Sequence, residues 1–559
     1  MHFILPLLFV ALFSFSAFAQ DFEPPSHGAA REIWNILYAE PEETNKTEVP
    51  QKTDNESLPP FLNIKELNKL YETREYRPVW DIESSLAQQN LRAFLEYMRT
   101  FTYYHGLEPQ DKTIDLFIKL SQTPDQTNKP LFDIALTDWL ISIAHELNGD
   151  AIDYAHLFTG WEFHTNDRDL IADLAQALYH GQIYDYLPTL TPATTEYLFL
   201  ARALRLYRAI AQQQPWKPID DGPILRLGDK SPRVLQVRNR LVNELYMLPI
   251  CQNEEDTLDS DLHRIILTYQ SRNGLETDGN IGSETIYDMN KPVDLRIDQI
   301  RTNMAFARAM PRQFPDRLAY VNIADASIKI FRHGEVIHHA QTVVGMPMRK
   351  TPFINSAIDS VILNPMWKIP ISIARYDILP KLRKNPRLLE EKGYAIRWRE
   401  DDPYGHGIDF SNMSPRQFNY QLRQRPGPKN ALGEVKFDFK NKFSVYLHGT
   451  PHKEDFGKSG RHKSSGCIRL KDPPKIASII LEENEVPWSY NDVKKEIGKL
   501  PVFPIKVDNP LPIFVVYRTS FFPAEDSALH FRRDIYRYDQ RLLTALKDKV
   551  KDYNQLFSK

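Results

Sequence analysis

Tyr446-Leu447-His448-Gly449-Thr450 and Ser464-Ser465-Gly466-Cys467-Ile468-Arg469-Leu470 decide how this chain is read. They join one of only two cysteines to a histidine nineteen positions upstream, among small and basic residues. A thiol needs a base to become a thiolate, and neutral imidazole is the side chain best matched to that near neutral pH. The spacing is too long for one helical turn and suits two adjacent strands, or a strand and its return loop. Cys467 is therefore expected to be a nucleophile and His448 its general base and acid.

The surroundings extend that expectation. Lys453, Lys458, Arg461, Lys463, Arg469 and Lys471 face only Glu454 and Asp455 between Pro451 and Lys471. Positive potential favours thiolate and attracts anions. Arg461 and Arg469 bracket the cysteine, whereas Lys453 and Lys458 are expected in solvent. Backbone N–H groups of Ser465-Gly466-Cys467 are candidates for an oxyanion site, with glycine permitting close approach. Tyr446, two residues before His448, shares its face of a strand. Ser464 and Ser465 are further candidates for substrate contact and, in principle, alternative nucleophiles. The second imidazole nitrogen of His448 needs a partner, either Thr450 or a backbone carbonyl. No second His or carboxylate stands at zinc spacing from His448, and His452 and His462 fall in what reads as a loop. Neither metal nor cofactor is expected.

The pair resembles the active-site signature of the L,D-transpeptidase (YkuD-type) catalytic domain, a histidine followed by [Ser/Thr]-x-Gly-Cys. Val344-Gly345-Met346-Pro347 with Thr351-Pro352, Asn364-Pro365-Met366-Trp367, Ser372-Ile373-Ala374-Arg375, Asp377-Ile378-Leu379-Pro380-Lys381-Leu382 and Pro426-Gly427-Pro428-Lys429-Asn430-Ala431-Leu432-Gly433 resemble its large, multi-domain YcbB-like branch. Many family members carry histidine where this chain has Ser465, so His448 is the one histidine of the motif pair placed to act as base. The resemblance implies attack on the peptide bond between a diamino acid at stem position three and terminal D-alanine. It also implies release of D-alanine from a cysteine thioester, and a 3→3 peptidoglycan cross-link when a second stem's amine resolves it. Water as acceptor would make the enzyme a carboxypeptidase or endopeptidase, and a protein amine would make it a wall-attachment enzyme. A non-catalytic wall-binding scaffold is the rival from another class.

Around this centre the 559-residue chain is too long for one core, so several units are expected. Its net charge of −3 gives no reason to expect nucleic acid. Residues 1–19 read as an export signal: Phe3 to Phe18 are mostly apolar and Ala17-Phe18-Ala19 forms a cleavage site, although no Lys or Arg precedes them. An uncleaved anchor is the alternative, and otherwise no membrane span is expected. Export plus the resemblance imply a Gram-negative periplasm, with peptidoglycan stem peptides, glycan and other wall-synthesis enzymes as partners. Cys251 is read as a free structural thiol, since a disulfide to Cys467 would silence the nucleophile.

The fold class expected is multi-domain α+β. Residues 20–60 form an N-terminal segment and linker, and 61–222 a helical scaffold domain with apolar residues at three- and four-residue spacing. There His105, before Gly106, reads as a helix-end structural residue. Residues 223–290 resemble a three-helix peptidoglycan-binding module through Thr277-Asp278-Gly279-Asn280-Ile281-Gly282. Strand patterns from 298 to 509 mark a mostly-β catalytic domain. The insertion at 376–425 resembles the branch's capping subdomain, in which Tyr376 and Tyr404, with Trp367 just before it, are candidates to pack on substrate or on the lid. Residues 510–559 are expected to add a strand and a helix against the catalytic or scaffold domain.

Overall fold

A computed structural model of the chain describes residues 25–26, 28–38, 61–81, 83–122, 129–164, 168–213, 216–247, 256–397, 399–499, 502–523, 526 and 528–557. The expected signal and Cys251 lie outside these. Among the described residues, no helix is long and apolar enough to cross a membrane.

The scaffold is built on helix Lys129–Asn148, buried almost all round by Ile64–Glu72, Ser85–His105, Asp111–Gln122 and Leu170–Tyr179. Two carboxylates on the central helix survive burial because each of their oxygens accepts a hydrogen bond. Asp133 accepts from the Val79 and Trp80 backbone at 3.0 and 2.7 Å and from the Tyr71 hydroxyl. Desolvation nonetheless pushes it up to about 6. Asp138 accepts from Asn63 N–H at 2.9 Å and from the hydroxyl of Tyr553, late in the chain, at 2.9 Å. His105 ends its helix before Gly106, whose φ of +75° is a left-handed cap, and its ring meets Tyr197 Oη at 3.1 Å.

Residues 223–290 hold helices Pro232–Asn243, Ser260–Arg272 and Ser283–Met289 around a small core of their own, with Val237, Leu262, Ile266 and Ile286 at its centre. The next element departs from expectation. Strands were expected from 298, but Val293–Arg308 is a helix packed on scaffold helix Thr195–Gln213. Its buried face is partly cationic, which hid the periodicity. Arg301 and Arg308 donate to the carbonyls of Gly106 and His105 at 3.0 and 2.8 Å, the negative end of a helix, and Arg296 pairs with Asp288 at 2.6 Å.

The strands then follow in chain order: β1 Arg317–Asn322, β2 Ser327–Arg332, β3 Glu335–Gly345, β4 Ile354–Leu363, β5 Trp367–Lys368, β6 Tyr394–Ile396, β7 Leu422–Gln424, β8 Val435–Phe439, β9 Leu447–His448, β10 His462–Ser464, β11 Ile468–Leu470 and β12 Phe503–Val516. The main sheet runs β10-β3-β11-β9-β8-β4-β12-β1-β2, and β2 pairs with β3 as well, so the ladder closes into a ring. Strands β5, β7 and β6 form a separate small sheet that belongs to the cap. The cap has its own core of Ile369, Ile378, Leu379, Leu382, Phe410, Phe418 and Leu422, and so begins slightly before residue 376.

Three further differences have local causes. The expected boundary at 509/510 falls inside β12, which pairs with both β4 and β1. Pro504, Pro510 and Pro512 obscure it in sequence, and a register shift between Lys506 and Leu511 absorbs the disruption. Phe443–Tyr446 is not strand: the Asn441 side chain bonds the backbone of Phe443 and Val445 within 3.0 Å, and Ser444 sits at φ +55°. The late helix spans Tyr538–Lys547 rather than 532–551.

The scaffold enters the core of the main sheet directly. Tyr154, Phe158, Trp161 and Phe163 pack among Phe306, Phe353 and Tyr538, and Phe353 N–H donates to Thr159 O at 3.0 Å. Gly160 permits this approach: at φ +84°, a Cβ there would lie 2.2 Å from Phe353 O.

Candidate active site

Cys467 and His448 come from neighbouring parallel strands. β9 and β11 pair Leu447 with Ile468 and His448 with Arg469, and Ile468 N–H continues to Tyr446 O at 3.2 Å. The alternation of a strand then puts Tyr446, His448, Cys467 and Arg469 on one face. Lys436, opposite His448 across β8, joins them.

The turn before the thiol explains its own sequence. Ser464 Oγ donates to the Cys467 carbonyl at 2.5 Å and accepts from Gly466 N–H at 3.1 Å. Gly466 stands at φ +118°, open to glycine and strained for any L residue. Either Ser or Thr could supply the first hydroxyl, whereas the glycine has no substitute. Thr351 Oγ1 clamps the turn by donating to Gly466 O at 2.8 Å and accepting from Gly345 N–H at 2.9 Å. Tyr536 secures that clamp, accepting from Thr351 N–H at 3.2 Å and donating to Gly345 O at 2.5 Å.

His448 is 5 % exposed, and its Nδ1–H donates to the Gly449 carbonyl at 2.5 Å. The orienting group is thus a backbone carbonyl. Thr450 Oγ1 instead accepts from His452 N–H at 3.2 Å. With Nδ1 carrying the proton, Nε2 is the basic nitrogen. Burial, then the cations of Arg469 and Lys436, lower the imidazole to about 3 against the pull of the Gly449 and Leu432 carbonyls. Burial raises the Cys467 thiol, although hydrogen bonds from Tyr446 and the charges of Lys436 and Arg469 oppose it. Both partners therefore rest neutral. The thiol is half-buried, points to Ser444 O at 3.9 Å and makes no hydrogen bond to His448.

This ring of β-strands holding a cysteine against a carbonyl-oriented histidine can be set beside known proteins. Residues 316–488 match the family model of the L,D-transpeptidase catalytic domain, and residues 65–204 that of a scaffold domain. The ring of strands that carries Cys467 and His448 is thus the part of the chain similar to an L,D-transpeptidase catalytic domain. A Haemophilus influenzae protein provisionally named an L,D-transpeptidase is 32 % identical over 242 residues, 42 % of this chain. That similarity spans 48 % of the relative's length, about half of it. A solved L,D-transpeptidase structure (residues 123–326) from Xylanimonas cellulosilytica matches at 10 % identity over 54 % of this chain and 100 % of that one, with a TM-score of 0.16, and carries no argument.

Within the matched region, not every residue singled out in sequence converges on the thiol. Tyr446 does: its hydroxyl bonds the thiol and Trp367, and burial, followed by the neighbouring Cys467, pushes its own ionisation up. Arg469 does as well, with Asp455 at 4.0 Å behind it. Arg461 does not. Its guanidinium donates to the carbonyls of Lys458 and Asp325 at 3.1 and 2.8 Å. Ser464 is a turn brace rather than a free hydroxyl, and the Gly466 N–H, engaged by Ser464, is no open oxyanion donor. Among the described residues the Cys467 N–H has no acceptor and is the better placed donor. Ser465 is exposed and accepts from Arg349 Nη1 at 3.0 Å. His452 pairs with Glu454 and His462 bonds Ile323 O at 2.9 Å, so neither is drawn to His448. In the cap Tyr376 is exposed, while Tyr404 packs on the cap's own core. Lys436, Thr351, Tyr536 and Arg349 were not anticipated. Thr351 alone had a sequence signal, in the quoted Thr-Pro pair.

Proposed function

We propose that this protein is a cysteine-dependent L,D-transpeptidase that forms 3→3 cross-links between peptidoglycan stems. The observation that supports it best is the face shared by Cys467 and His448, with Nδ1 bound to the Gly449 carbonyl. In this reading a tetrapeptide stem enters beside Trp367 and Tyr446. The thiol turns from Ser444 O and its proton passes to His448 Nε2 as sulfur attacks the carbonyl carbon of residue three. The oxyanion is met by the Cys467 N–H and the Tyr446 hydroxyl. Collapse breaks the C–N bond, and His448 returns the proton to the departing amine of D-alanine. A second stem's side-chain amine then attacks the thioester, His448 takes its proton, and the thiol is restored. Arg469 and Lys436 disfavour imidazolium, so charge separation is brief and the base is regenerated at each step.

The same proposal includes export to the periplasm through residues 1–19, wall contact by residues 223–290, and wall-synthesis enzymes as partners. Intact-mass analysis of wild type and Cys467→Ala with tetrapeptide muropeptides, and separately with a carbapenem, tests it. A Cys467-dependent adduct with accumulating 3→3 dimers is expected. Trimmed tripeptides alone would mean that water is the acceptor, and a folded protein with no adduct would sink the catalytic reading in favour of wall binding.

A further inference from the structure

The 346–350 loop joins β3 to β4 and touches the nucleophile turn from both ends. Met346 N–H donates to Ser464 O at 3.0 Å, and Thr351 reaches Gly466 O as above. Between these contacts Arg349 extends outward. Its Nη1 meets Ser465 Oγ at 3.0 Å and Asp377 Oδ2 at 2.5 Å, while Nη2 meets Asp377 Oδ1 at 2.8 Å. This is the two-pronged fork that only a guanidinium offers a carboxylate, with a third contact added beside Cys467. Asp377 belongs to the cap and lies in the π turn Ala374–Ile378, a rare geometry that shifts a side chain relative to a regular helix. The cap packs on its own core, separate from that of the main sheet. It is therefore a compact body of its own, and this ion pair is a fastening between it and the turn that presents the thiol. Both side chains are about one-third exposed (36 % and 33 %), so the pair can open and is sensitive to salt.

We propose that Arg349 is a positioning residue that couples cap closure to the nucleophile turn. With Asp377 engaged, the guanidinium holds Ser465, the turn is braced and the mouth over Cys467 is narrow. When Asp377 leaves, the mouth widens and Ser465 is held only by what remains of Arg349's freedom. The coupling rests on the reading of Cys467 as nucleophile only for its consequence in turnover; the latch itself is a matter of access.

The test uses the full chain in a Cys251→Ser background, so that Cys467 is the one reporting thiol. Rates of modification by N-ethylmaleimide and by a maleimide carrying a polyethylene glycol chain are compared for wild type, Asp377→Asn, Arg349→Gln and the double variant. The two reagents share their chemistry and differ in bulk. Asp377→Asn is expected to speed the bulky reagent roughly threefold to fivefold while leaving the small one within about twofold, the scale of a partly exposed ion pair. High salt should move wild type in the same direction. The double variant should match Arg349→Gln rather than sum the two, because they share one contact. In turnover, Asp377→Asn should raise KM more than it lowers kcat, whereas Arg349→Gln lowers both; Arg349→Lys, which cannot fork, should rescue neither fully. Equal changes for both reagents, or additive variants, would overturn the latch. A wild type that shows the size selectivity but yields no muropeptide product would sink the proposed function alone. One that turns over but is indifferent to Arg349 and Asp377 would sink the latch alone.

Discussion

A base held at about 3 predicts a pH profile unlike that of a thiolate–imidazolium pair. Consider Cys467 alkylation by iodoacetamide from pH 5 to 9 in the Cys251→Ser background, followed by intact mass. With burial holding the thiol above its ordinary range, thiolate is the minor form at pH 7. The logarithm of the rate should then climb with a slope of about one through pH 8, roughly tenfold per unit. A preformed ion pair would instead give a plateau between the two titrations. The companion measurement is kcat/KM for cross-linking. An ordinary histidine near 6.5 would be only about one-tenth neutral at pH 5.5, a tenfold loss of base. His448 at about 3 remains over about 99 % neutral there, so it contributes no acid limb in that range. An alkylation plateau below pH 8, or an inflection near 6.5 that Arg469→Gln shifts, would refute the argument that burial and two cations keep the pair neutral.

Arg469→Gln removes a charge that favours thiolate and disfavours imidazolium. Both groups should rise, and alkylation at pH 7.5 should slow by roughly threefold to tenfold, read in the same mass assay. Gly466→Ala has room for its methyl group, the nearest atom being Lys350 O at 3.7 Å, but not the backbone conformation at φ +118°. Strain of ~1–3 kcal/mol should shift the turn and cut adduct formation more than tenfold, with only a modest fall in Tm by calorimetry. Gly160→Ala combines φ +84° with a contact of 2.2 Å to Phe353 O, so the scaffold must withdraw from the sheet. A loss of roughly 3 kcal/mol or more is expected in urea unfolding, with activity falling through Thr351 although Gly160 lies outside the site.

The pairing of Cys467 with His448 on one face was legible in sequence, because both motifs are written in side chains close along the chain. The helical scaffold and the Asp278–Gly282 turn are of the same kind. What escaped is made of backbone or of distant chain. The Gly449 carbonyl that orients His448 has no residue type, and Arg461 looked equivalent to Arg469 until its guanidinium proved to be bound to two carbonyls. Helix Val293–Arg308 hid because its buried face carries Arg296, Arg301 and Arg308, whose charge is met by Asp288 nearby and by the distant carbonyls of Gly106 and His105. Strand β12 hid behind its prolines. Arg349 gave no signal, because Asp377 and Ser465 are brought to it by folding alone.

The closure of the ring by β12 has a consequence in time. A chain emerging from its N-terminal side delivers the reactive motif before it delivers β12, which carries the pairings to β4 and β1, and before Tyr536, which holds the Thr351 clamp. Tyr553, later still, ties back to Asp138 of the scaffold. A nascent chain stopped between Leu470 and Phe503 would own its cysteine and histidine yet lack the frame that sets them against each other. The frame of the site is thus complete only when the C-terminal segment is in place, and a chain stalled before it carries the thiol without that frame.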